Sequence, residues 1–154
     1  MRAIPSILAV AVTAAGLAGA TYGAFDHEWK AVLTPSSGSN ITGTAEFESK
    51  DKDKKTEAEI SIKGATAGAE HPWHVHSGKC GSNGAIVGPA TAYPMLKVGK
   101  DGSAKAEAKL DMATPTTGDY YVNVHKSAAD EKTIVSCGNL TQEAGKKAST
   151  SSGY

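Results

Sequence analysis

From Ile41 to Glu48, Ile41, Gly43, Ala45 and Phe47 alternate with Thr42, Thr44, Glu46 and Glu48, a period of two that predicts a strand with one buried face. Ala58, Ile60 and Ile62 repeat the pattern against Glu57, Glu59, Ser61 and Lys63, and the charged run Lys50 to Lys55 between the two segments reads as a solvated hairpin loop. Ala104, Ala106, Ala108 and Leu110 alternate with Lys105, Glu107, Lys109 and Asp111 after the turn signal Asp101-Gly102. Alanine-rich sequence suggests helix, but the period here is two. Tyr120 to His125 and Thr133 to Cys137 alternate again, and Trp29 to Leu33, Pro72 to His76 and Met95 to Val98 are shorter strand candidates. About eight strands without a helical period predict an all-β sandwich or barrel.

The ends differ from this middle. Met1-Arg2 precedes an apolar run from Ile7 to Ala20 that ends in small residues, the layout of a secretory signal peptide and too short to span a membrane. Small residues at Ala18 and Ala20 favour cleavage after Ala20; cleavage as late as Ala24 would set the bulky Tyr22 at a small-residue position. The expected organisation is a leader over 1–20, a β domain over 25–140 and a flexible tail over 141–154, where TQEAGKKASTSSGY has no apolar period. Export to a periplasmic or extracellular compartment follows from the leader.

Composition narrows the function classes. The 154 residues carry 16 basic and 16 acidic side chains, so no net field favours nucleic acid, and no segment is predicted to span a membrane. Aromatics reach only 6%, which leaves the core to Ala, Val, Ile and Leu. Without Arg2 the remaining chain holds no arginine. Two cysteines, Cys80 and Cys137, are most simply a disulfide in an oxidising compartment, with two buried thiols as the alternative. A bridge closing a loop of about 58 residues stabilises by about 4 kcal/mol on the chain-entropy account.

The densest chemistry is EHPWHVHSGKC, Glu70 to Cys80, with three of the five histidines. On a strand His74 and His76 share a face and Trp73 and Val75 take the other, so two imidazoles at this spacing can hold one metal ion or simply face solvent. His125 ends the alternating run Tyr121, Asn123, His125 on another strand.

The combination resembles the copper/zinc superoxide dismutase family. SIKGATAGAEHPWHVHSGKC is similar to that family's strand with two copper-binding histidines followed by its disulfide cysteine. VGPATAYP, KVGKDGSAKAEAKL, VNVHKSAAD and VSCGNL resemble the segments that follow, over roughly Lys30 to Leu140. The resemblance implies an eight-stranded antiparallel Greek-key β-barrel of that type, a disulfide between Cys80 and Cys137, and His74, His76 and His125 as catalytic ligands of one copper ion. His71 is a candidate fourth ligand if Pro72 redirects the backbone, because plain strand geometry sends it to the opposite face. His27, near the expected mature N-terminus, reads as a surface histidine.

Departures from the family pattern qualify this expectation. Gly88-Pro89-Ala90 stands where the family carries the histidine that bridges copper and zinc, and the segment supplying the other zinc ligands is missing, which argues against zinc. Ile134 occupies the position of the arginine that guides superoxide; Lys79, Lys126 or Lys132 would have to supply positive potential. The leading expectation is copper-dependent dismutation of superoxide, with reduced activity. A non-catalytic copper carrier or scavenger is the alternative, and a metal-free structural domain is a third reading.

Overall fold

The structure, a computed structural model, describes residues 27–143 apart from positions 51 and 53. The expected leader with its cleavage positions, and residues 144–154 of the expected tail, lie outside these. The described residues form nine strands and one short 3-10 turn, Ala90–Ala92, and no α-helix. In chain order the strands are β1 (Glu28–Pro35), β2 (Thr42–Lys50), β3 (Lys55–Lys63), β4 (Glu70–His71), β5 (Trp73–Ser77), β6 (Leu96–Lys97), β7 (Ala104–Leu110), β8 (Tyr120–Ser127) and β9 (Asp130–Glu143).

Seven strands make one antiparallel sheet in the order β5-β8-β9-β1-β2-β3-β7, curled into a half-barrel, and β4 pairs with β6 separately. The fold is therefore all-β, as the period-two pattern requires. The count differs from eight because the segment Glu70 to Ser77 is broken at Pro72, which has no N–H to donate to a ladder, into β4 and β5.

Register follows the hydrophobic alternation. Phe47 pairs with Trp29 on one side and Ala58 on the other, and Ala58 pairs in turn with Ala108, so one inward row crosses β1, β2, β3 and β7. Trp29, Leu33, Phe47, Ile60, Ile62, Trp73, Val75, Val122, Val124 and Leu110 are buried together in the concavity. The two tryptophans bury their rings only because each indole N–H finds a carbonyl: Trp29 Nε1 donates to Pro115 at 2.9 Å and Trp73 Nε1 to Pro94 at 2.8 Å. Tyr120 and Tyr93 pack edge-on against them, with ring centroids 5.4 and 5.1 Å apart.

β9 runs well beyond the alternating stretch Thr133 to Cys137 and past Leu140, where a flexible tail was expected. Thr141, Gln142 and Glu143 pair with Lys30, Trp29 and Glu28. These polar residues are held by backbone hydrogen bonds to β1, and side-chain hydropathy carries no trace of that.

Candidate metal centre

β5 and β8 are antiparallel neighbours in which His74 faces Asn123 and His76 faces Tyr121, while Trp73 faces Val124 and Val75 faces Val122. Pairs directly opposite share a face. The valines and Trp73 enter the core, and His74, His76, Tyr121 and Asn123 emerge together on the outer face. His125 extends that row. Its register partner on β9 is Ile134, whereas Val124 pairs with Ser136, so Val135 is an extra residue and the ladder bulges at this point. A bulge re-aims the adjoining side chain. The His125 N–H is then satisfied from outside the ladder, donating to the Pro72 carbonyl at 2.8 Å.

The outer face is not left to solvent. The segment after β5 folds back over it, tied by the Cys80–Cys137 disulfide and by the Cys80 N–H donating to Asn139 Oδ1 at 2.8 Å. All three histidines are buried as a result. One ring nitrogen from each of His74, His76 and His125 lies within 4.8 Å of the other two.

Hydrogen bonds fix the rings. His76 Nδ1 donates to the Gly84 carbonyl at 2.9 Å, and His125 Nδ1 donates to the Glu131 carbonyl. With Nδ1 carrying the proton, the lone pairs of both rings sit on Nε2. His74 Nδ1 faces His125 Nε2 at 3.2 Å. Burial, reinforced by the neighbouring His125 and His76, pushes the His74 imidazolium down to about 4, and burial also lowers His76 against the opposing pull of the Gly84 carbonyl. Both rings are therefore neutral near pH 7, the form that ligates metals.

Tyr121 holds the covering loop against this arrangement. Its ring stacks on His76 with centroids 5.1 Å apart, its hydroxyl donates to the Ser82 carbonyl, and the Gly84 N–H donates to it at 3.2 Å. Gly84 admits no side chain, since a Cβ there would lie 1.6 Å from the Ser77 carbonyl oxygen. An open cleft of about 500 Å³ reaches the centre, with His76, Tyr121, Asn123, His125, Glu131 and Lys132 in its wall.

Among the other candidates, His71 stays apart from this cluster. Its Nδ1 donates to the His125 backbone carbonyl at 3.0 Å, and its side chain lines a different cavity with Ser39 and Thr66. His27 is at the surface, where its Nδ1 accepts from Gln142 Nε2 at 3.2 Å. Of the three lysines, Lys132 lines the cleft, whereas Lys79 and Lys126 lie 3.6 Å from Asp119 and Asp130. Tyr121, Asn123 and Gly84 carry no role in the sequence reading, although the alternation that positions His125 names Tyr121 and Asn123 as its neighbours on the same face.

Residues 28–134 match the family model of the CHRD domain, more than half of the chain. The chain belongs to the CHRD domain family. No curated protein matches it. The CHRD match covers β1 to the first part of β9, the same strands on which the copper/zinc superoxide dismutase resemblance rested, and replaces that assignment. The reason is physical as well as comparative. A histidine pair at alternate positions and a third histidine on the adjacent strand are what any antiparallel pair needs to gather three imidazoles on one face, so these short motifs report local geometry. In this CHRD domain the matched region includes all three clustered histidines and Cys80, while Cys137 lies beyond it.

Proposed function

We propose that this CHRD domain protein is an exported copper-binding protein in which His74, His76 and His125 hold one ion that superoxide reaches through the cleft. The observation that carries the reading is the convergence of one ring nitrogen from each of the three buried histidines within 4.8 Å, with His76 Nε2 buried and without a hydrogen-bond partner. An unpaired buried acceptor of this kind is unfavourable by about 1–3 kcal/mol unless something binds it. The donor set fits copper: three imidazoles suit Cu(I), and for a given nitrogen site Cu(II) binds more tightly than Zn(II). On the same reading the half-barrel is a Greek-key fold, because the chain crosses from β3 to the opposite edge for β5 and crosses again between β7 and β8.

Bound copper supplies one-electron cycling that converts two superoxide ions and two protons to oxygen and hydrogen peroxide. The chain's own residues do the rest. The Gly84 and Glu131 carbonyls keep His76 and His125 oriented, burial keeps His74 and His76 unprotonated, and the cleft admits the anion and the water that delivers protons.

One observation favours copper carriage without turnover: Glu131 stands beside Lys132 in the cleft wall and cancels its charge, leaving little to attract an anion. Superoxide decay per bound copper separates the two, with His125→Ala as control. Decay well above that control supports dismutation. Copper bound without excess decay selects carriage, and zinc bound in preference to copper refutes both.

A further inference from the structure

We propose that the Asn123 carboxamide is the contact for the small polar ligand, a water or a simple anion, that enters the open side of the three-histidine centre. The inference rests on the copper-binding reading and adds to it a residue that sets what binds beside the metal.

Asn123 lies in the middle of the outward row Tyr121, Asn123, His125 and directly opposite His74, so it is flanked by all the histidines that converge. Its side chain lines the cleft together with His76 and His125. Only 8% of the residue is exposed, and Oδ1 is buried without a hydrogen-bond partner. Buried amides are ordinarily paired, and neighbouring polar residues here are: Tyr121 through Ser82 and Gly84, Asn139 through Cys80. Asn123 differs in that Oδ1 has no partner, although the residue lines the cleft beside His76 and His125.

A carboxamide suits that position. Oδ1 accepts a hydrogen bond from water, and a half-turn of the amide presents the Nδ2 protons to an anion. Being neutral, it tolerates either without altering the charge of the site. A leucine of similar shape would instead close the cleft wall with an apolar group, and an aspartate would repel anions. The asparagine therefore selects for small hydrogen-bonding ligands and against apolar ones.

Azide is the probe. The full protein is loaded with Cu(II), and azide is titrated by the ligand-to-metal absorption band and the EPR spectrum in wild type, Asn123→Leu and Asn123→Asp, with copper affinity measured alongside. Loss of one hydrogen bond to an anion predicts azide affinity weakened roughly tenfold in Asn123→Leu. The near-isosteric Asn123→Asp, which preserves the packing, should weaken azide at least as much through repulsion. A purely structural role would lower copper affinity and leave azide affinity per bound copper unchanged. Unchanged azide affinity in the folded, copper-loaded variants overturns the proposal while leaving copper binding intact, whereas a wild-type protein that takes up no copper removes the underlying reading as well.

Discussion

Acid should unfold this protein through His74 more than through any surface group. In the folded chain the His74 imidazolium is pushed from an ordinary 6.5 down to about 4, chiefly because burial strips its hydration and secondarily because His125 and His76 are close. The unfolded chain binds a proton there near 6.5 and the folded chain does not until about 4, so the unfolded state gains protons first as pH falls. Stability attributable to His74 is complete above pH 6.5, declines between 6.5 and 4, and is flat below. At about 1.4 kcal/mol per tenfold difference in proton affinity, the loss at pH 4 is about 3 kcal/mol. That is a large part of the margin of an ordinary domain. The assay is urea unfolding of metal-free, disulfide-intact protein from pH 7 to pH 4, for wild type and His74→Gln. Carboxylates titrate alike in both proteins and cancel in the difference. The wild type should lose about 3 kcal/mol more than the variant across this range. Parallel stability curves would mean that His74 is not desolvated as the structure has it, and the account of a pre-neutralised ligand set would fail.

Other outcomes follow from the surroundings of the centre. Tyr121→Phe keeps the stack on His76 but removes the hydroxyl that joins Ser82 to Gly84; copper affinity measured by competition with a chelator should fall about tenfold, the usual scale for a support of a metal ligand. Cys80→Ser and Cys137→Ser should each lower unfolding free energy by about 4 kcal/mol in urea, and an equal loss in the double variant would confirm that the effect belongs to the bridge.

Strand positions were legible in the sequence wherever one face is buried and the other wet. Ala104 to Leu110 is the sharpest case, since period two identified a strand in composition that favours helix, and β7 spans those residues. The long course of β9 was not legible, because Thr141 to Glu143 owe their conformation to backbone pairing with β1. The bulge at Val135 was hidden for a related reason: it is a property of two strands in register, and neither sequence alone contains it. Histidine spacing placed His74 and His76 on one face, the family resemblance added His125, and the structure brings the three rings together. The wider resemblance over Lys30 to Leu140 misled on the family, and the CHRD family match overrode it. Sequence also left Asn123 silent, because an unpaired amide is visible only once its neighbours are known.

Because His74 and His76 alternate with Trp73 and Val75 along β5, and Asn123 and His125 with Val122 and Val124 along β8, core and centre are opposite sides of the same two ribbons. Sliding β5 by one residue against β8 would turn imidazoles inward and tryptophan outward, a change the apolar interior forbids. The tight packing of residues that never touch a metal thus works as a jig for those that do. A variant that softens the interior but preserves this alignment should melt earlier and still gather its imidazoles, so that thermal strength and ligand geometry can be selected separately in this domain.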